Sequence, residues 1–192
     1  MLSIEEGAKE ESLHKPIGMC LLQNGNIVVA STFEDKVKMF TPIGKFISLV
    51  TAPQPFERPS DMVALQSGEF VVRDNTRMQV FSAEGNFMKS MWQDQGQDKC
   101  YGLAQDKEGR LVTIMESRRP RKTDLLFFDL VTGELVKKIE MEDIIANKAL
   151  SKCRFLTYQL GKLYITDLGL DCVYILDPVT INAKVERTKS SS

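Results

Sequence analysis

The stretch Arg118-Arg119-Pro120-Arg121-Lys122 puts four cations into five residues. Guanidinium forks engage phosphates and carboxylates bidentately, so this stretch reads either as a clamp for an anionic ligand or as a solubilising, solvated loop. Its neighbours Glu116 and Asp124 lower the local excess of charge. Arg73 and Arg77 flank Asp74-Asn75, a pair suited to a tight turn, and Lys36, Arg58, Lys152 and Arg154 fall in similar polar stretches. Phe33, Phe56 and Tyr101 lie close by in sequence. Their flat faces suit the stacking of unpaired bases, although large aromatics also seal packed sheets.

Other chemistries find few residues to work with. His14 is the sole histidine, which excludes a multi-histidine zinc centre and leaves any nucleophile-histidine relay dependent on one side chain. Phosphate-loop, dinucleotide and metalloprotease motifs are absent, and no metal or cofactor is expected. Cys20, Cys100, Cys153 and Cys172 never approach a CxxC spacing and sit in or beside apolar runs. They read as reduced core thiols, from which a cytoplasmic location is expected.

With 25 Lys and Arg against 26 Asp and Glu, the net charge of -1 gives no global attraction to nucleic acid, so charge-driven binding must come from local clustering. The 43% hydrophobic and 27% charged fractions are those of an ordinary globular chain with a sizeable core. Pro16 to Phe33 is uncharged but interrupted by Gln23-Asn24-Gly25-Asn26, so no membrane span is expected. Residues 1–13, with Glu5, Glu6, Glu10 and Glu11, lack the basic start and apolar core of a secretory signal and read as an acidic lead-in.

The elements that must position these residues come as a repeat. Gly25, Gly68, Gly109 and Gly161 follow at intervals of 43, 41 and 52 residues, and each marks a turn between short apolar runs. Ile27 to Ala30, Phe70 to Val72, Leu111 to Ile114 and Leu163 to Ile165 are such runs, apolar on both faces as strands sandwiched between sheets are. Each unit holds four β-rich runs with a turn after the first and third, which is the pattern of a propeller blade. The fold class expected is all-β, a propeller with four blades at about 14–54, 55–96, 97–143 and 150–187, followed by a polar tail at 188–192.

Pro16-Ile17-Gly18-Met19, Asn26-Ile27-Val28-Val29-Ala30, Arg73-Asp74-Asn75-Thr76-Arg77-Met78-Gln79-Val80-Phe81 and Gly85-Asn86-Phe87 together resemble the NHL repeat family. That family ends the tripartite-motif ubiquitin ligases and the Brat translational repressor. Thr113-Ile114-Met115-Glu116 departs from its short Asp-containing loop, and the fourth copy lacks the second turn glycine. The resemblance implies a non-catalytic module that binds single-stranded RNA in translational regulation. The alternative it implies is a protein-interaction propeller presenting substrates to a ubiquitin ligase whose RING region is not in these residues.

A propeller lactonase or lyase is the weaker alternative. Innermost strands would offer only Gly18, Asp61, Gly102 and Phe155 to a central ion, and one carboxylate cannot hold calcium. Most propellers of this family use five or six blades, so a partial ring completed by another chain or segment is expected. Connections after the second and fourth strand of each blade share one rim, and they gather Lys36, Arg58, Arg73, Arg77, Arg118, Arg119, Arg121, Lys122, Lys152 and Arg154. The interval Gly109 to Gly133 exceeds Gly68 to Gly85 by seven residues, which predicts a long basic loop at Ser117 to Thr123.

Overall fold

The computed structural model describes residues 11–75, 77–93, 98–118, 121–144 and 151–187. They form sixteen strands in four antiparallel four-stranded sheets, each with its strands in chain order, the architecture of propeller blades. The first sheet is β1 (Pro16–Leu21), β2 (Ile27–Ser31), β3 (Lys36–Phe40) and β4 (Phe46–Val50). The second is β5 (Asp61–Ala64), β6 (Phe70–Arg73), β7 (Arg77–Phe81) and β8 (Phe87–Gln93). The third is β9 (Asp98–Gln105), β10 (Leu111–Arg118), β11 (Arg121–Phe128) and β12 (Leu135–Glu140). The fourth is β13 (Cys153–Gln159), β14 (Lys162–Asp167), β15 (Cys172–Leu176) and β16 (Ala183–Arg187). The chain divides into two units, Met1–Gln93 and Asp94–Ser192, each holding two sheets. No helix among the described residues is long and apolar enough to cross a membrane.

The repeat glycines set the register. Gly25, Gly68, Gly109 and Gly161 all take positive φ, between 78° and 101°, where a Cβ is disfavoured. Because side chains alternate along a strand, the offset from the turn glycine decides which face a residue joins. In the first unit, Val28 and Ala30, three and five residues after Gly25, pack against Phe70 and Val72, two and four after Gly68. The second unit repeats this: Val112 and Ile114 meet Leu163 and Ile165. Burying an aliphatic or aromatic side chain of this size contributes about 1.5–3 kcal/mol, so each unit rests on this parity.

Innermost strands approach each other closely at glycines within each unit. A Cβ on Gly18 of β1 would lie 2.6 Å from the Ser60 carbonyl oxygen, and one on Gly102 of β9 would lie 2.7 Å from Leu156 Cβ of β13. Neither position leaves room for a side chain.

The structure corrects the expected loop at Ser117 to Thr123. β10 runs on to Arg118 and β11 begins at Arg121, with Glu116 paired to Thr123, Ser117 to Lys122 and Arg118 to Arg121. The extra residues are shared between two strands that keep their register, so they lengthen a hairpin instead of opening a loop.

Candidate ligand-binding rim

The most developed surface belongs to the first unit, where the β2–β3 connection meets the segments that lead into β1 and β5. Thr32–Glu34 forms a single 3-10 turn closed by Asp35, which takes φ 55°. Lys15 and Arg58 also take left-handed backbone, at φ 47° and 52°. Non-glycine residues hold such angles at a cost of about 1–3 kcal/mol, sustained only where their surroundings fix them.

Hydrogen bonds do fix them. The Arg58 N–H donates to Asp35 Oδ1 at 2.7 Å. The Phe33 N–H donates to the His14 carbonyl at 3.2 Å, and the His14 N–H donates to Ser31 Oγ at 2.8 Å. Thr32 Oγ1 donates to the Pro59 carbonyl at 2.7 Å. The Phe33 ring, 58% exposed, stands between the Lys15 ammonium at 4.3 Å from its centroid and the Arg58 guanidinium at 5.5 Å. Two cations beside one exposed aromatic face suit a ligand that carries both flat rings and negative charge.

Beneath the rim lies an ion pair. Lys38 is fully buried, and its Nζ sits 2.7 Å from Glu34 Oε2 and donates to the Ser12 carbonyl. Burial pushes the Glu34 carboxyl up, but the bonds from Lys38 and Ser31 and the charges of Lys38 and His14 outweigh it and hold it below the usual range. Beside the patch, Lys36, Asp35, Thr51, Pro53 and Phe56 line a groove of about 330 Å³.

The expected site residues divide. Arg58 and Lys36 belong to this rim. Arg73 and Arg77 are buried: Arg77 Nε donates to Asp74 Oδ2 at 3.1 Å and its other nitrogens reach Gln54 and Pro55, while Arg73 donates to Ser60 Oγ and the Asp74 carbonyl. They tie connections together inside the first unit and do not line an open surface.

In the second unit, Arg154 lies 3.9 Å over the Tyr101 ring and pairs with Glu116 at 3.1 Å, Lys122 pairs with Glu142 at 3.8 Å, and Lys152 is exposed. Arg119 lies outside the described residues, as do the side chains of Arg118 and Arg121. Phe56 is buried against Phe81 and has a packing role. Lys15 escaped the sequence reading, because nothing in Lys15-Pro16 announces that the backbone turns its side chain onto Phe33.

A second recurring device stiffens the same connections. Asp74 and Asp167, each near the end of its blade's second strand, accept the N–H of Glu57 and of Lys152 respectively, and Ser31 does the same for His14. Asp167 also takes hydrogen bonds from Ser151 Oγ and from the N–H groups of Gly169 and Leu170. Burial alone pushes its carboxyl up, and these donors reverse that, leaving it below the usual range. Among the described residues no group of three His, Cys, Asp or Glu side chains could hold a metal ion.

No known family profile matches the chain, and no curated protein does. Solved structures do. Virginiamycin B lyase from Staphylococcus aureus superposes with a TM-score of 0.69 at 13% identity, over 92% of this chain and 56% of that one. A putative gluconolactonase gives 0.68 at 16%, over 92% and 64%. A luciferin-regenerating enzyme gives 0.62 at 15%, over 92% and 62%.

The chain is thus a β-propeller by fold, and it spans less than two thirds of the length of these propellers. The expectation of a chain without enzymatic activity is corrected here, since the propellers it superposes on are described as enzymes. Identity of this order speaks for a shared fold, within which function is set by the site.

Proposed function

We propose that the chain is a ligand-binding segment of a β-propeller of the NHL kind its repeats resemble, and that single-stranded RNA docks on the first-unit rim. The observation that carries this reading is the exposed Phe33 ring set between Lys15 and Arg58 on hydrogen-bonded, left-handed backbone. A base would pack against the exposed Phe33 ring beside the cations, with phosphates near Lys15, Arg58 and Lys36. The test is fluorescence anisotropy with a labelled oligouridine at several salt concentrations. Affinity falls steeply with salt, and Phe33→Ala weakens it by about 1–3 kcal/mol. Salt-independent binding, or equal affinity for wild type and Phe33→Ala, overturns the reading. The protein-interaction alternative gains if a cellular partner stays bound after nuclease treatment.

A second reading is a lyase or lactonase propeller, favoured by the descriptions of the superposed structures. In this chain a histidine-dependent step would rest on His14, whose side chain is 61% exposed and 4.0 Å from Glu34. Ring opening of a model lactone by the wild type and its loss in His14→Ala would support that reading; equal rates in the two proteins would count against it.

A further inference from the structure

We propose that the groove beside Phe33 is a guanine pocket, in which Asp35 and Lys36 read the edge of the base next in the strand to the one packed on that ring. The inference rests on the RNA reading above and adds a base preference to it. Two adjacent residues of opposite charge carry it. Asp35 is exposed, Lys36 is half-buried, and both line the groove of about 330 Å³. The Arg58 N–H occupies Asp35 Oδ1 at 2.7 Å, which leaves Oδ2 to accept from a ligand. A carboxylate only accepts hydrogen bonds and an ammonium only donates them. Side by side they match a base edge that sets two neighbouring donors next to an acceptor. Guanine alone among the RNA bases has that edge, with N1–H and the 2-amino group beside O6. Uracil flanks its single N–H with a carbonyl on either side, so one of them meets the carboxylate. The Lys36 ammonium carries several donors, enough for O6 and a nearby phosphate together.

The walls suit a flat ring. Val50, Ala52, Pro53, Pro55 and Phe56 line them with apolar surface, and the prolines bring no N–H to compete with Lys36 as donor. Arg77, buried and bonded to Asp74 at 3.1 Å, donates to Gln54 and to the Pro55 carbonyl. That wall is therefore tied from behind to the turn before β7, and a ligand need not order it on binding. Arg58 links the pocket to the ring: its N–H holds Asp35, and its guanidinium lies 5.5 Å from the Phe33 centroid. The two base sites thus share one residue and fall within reach of consecutive nucleotides.

Fluorescence anisotropy on the full chain compares a labelled oligouridine with the same strand carrying one central guanosine. The guanosine strand binds the wild type roughly tenfold more tightly. Exchanging guanosine for inosine, which lacks the 2-amino group, removes most of that gain. Asp35→Asn keeps an oxygen for the Arg58 N–H and turns the other into a donor, and this variant binds the three strands equally. Should Asp35→Asn melt below the wild type, Lys36→Met takes its place and loses the gain by removing the donor to O6. Equal affinity of the wild type for the uridine and guanosine strands overturns the pocket and leaves the RNA reading standing. So does a guanosine preference that survives in Asp35→Asn. Failure of the wild type to bind any strand overturns the RNA reading and the pocket with it.

Discussion

Ile181 occupies, in the turn after β15, the place that Gly133 holds in the turn after β11. In each, an aspartate opens the turn and accepts two backbone N–H groups: Asp129 those of Val131 and Thr132, Asp177 those of Val179 and Thr180. In each, the fifth residue returns its N–H to the aspartate carbonyl at 2.9 Å. Gly133 does so at φ 76° and Ile181 at φ 59°, although Ile181 is β-branched. The fourth repeat thus keeps the turn and loses the glycine.

Replacing Ile181 with Gly is expected to stabilise the second unit by about 1 kcal/mol, because relief of left-handed strain exceeds the added freedom of the unfolded chain. Urea denaturation gives the difference. A lower midpoint for Ile181→Gly would show that the exposed side chain contributes more than its backbone costs.

Gly18→Ala and Gly102→Ala are expected to destabilise by about 2 kcal/mol or more, since each added methyl meets backbone or Cβ atoms under 3 Å away. Gly68→Ala meets nothing within 4 Å and suffers only from its positive φ. Thermal melts of the three variants should rank Gly68→Ala as the mildest.

Asp167 makes the second unit acid-sensitive. A carboxyl whose folded pKa is depressed adds stability above its unfolded value of about 3.9, and that stability is lost as pH falls through the folded value. Stability should therefore hold from neutral pH to about 5 and decline below it. Asp167→Asn should lower the neutral plateau and flatten the acid decline. Denaturant midpoints taken across that range decide it, and a parallel decline in the two proteins would contradict the assignment.

Arg77 and Arg58 separate structure from binding. Arg77→Ala removes the guanidinium beside the buried Asp74 carboxylate together with its bonds to Gln54 and Pro55, and should lower the melting temperature, at a cost of about 2–4 kcal/mol. Arg58→Ala should leave melting nearly unchanged and reduce the salt slope of oligouridine binding by about one. Melting and anisotropy on both variants form the comparison.

The four thiols are expected to be silent toward a disulfide reagent in the native protein and to react once it is unfolded. All four are buried. Burial, with a small contribution from Asp61, pushes the Cys20 thiol up to about 12, and burial chiefly does the same for Cys153. Absorbance of the released thiolate at mildly alkaline pH, with and without denaturant, counts them.

The sequence alone determined the four sheets. Glycines that must take positive φ recur at nearly constant spacing, and strand alternation then decides which of Val28 and Val29, or Tyr164 and Leu163, faces which way. Local chemistry of this kind is readable because it involves residues a few places apart. Tertiary structure alone decided which cations stay free to bind. Arg73, Arg77 and Arg58 look alike in the chain, yet two are drawn inside by Asp74, Ser60 and the Gln54–Pro55 carbonyls while the third is turned outward by Asp35. Asp74 is local to both buried arginines, but Ser60, Gln54, Pro55 and Asp35 come from distant segments, so whether each charge is paired or available depends also on contacts that no local pattern encodes.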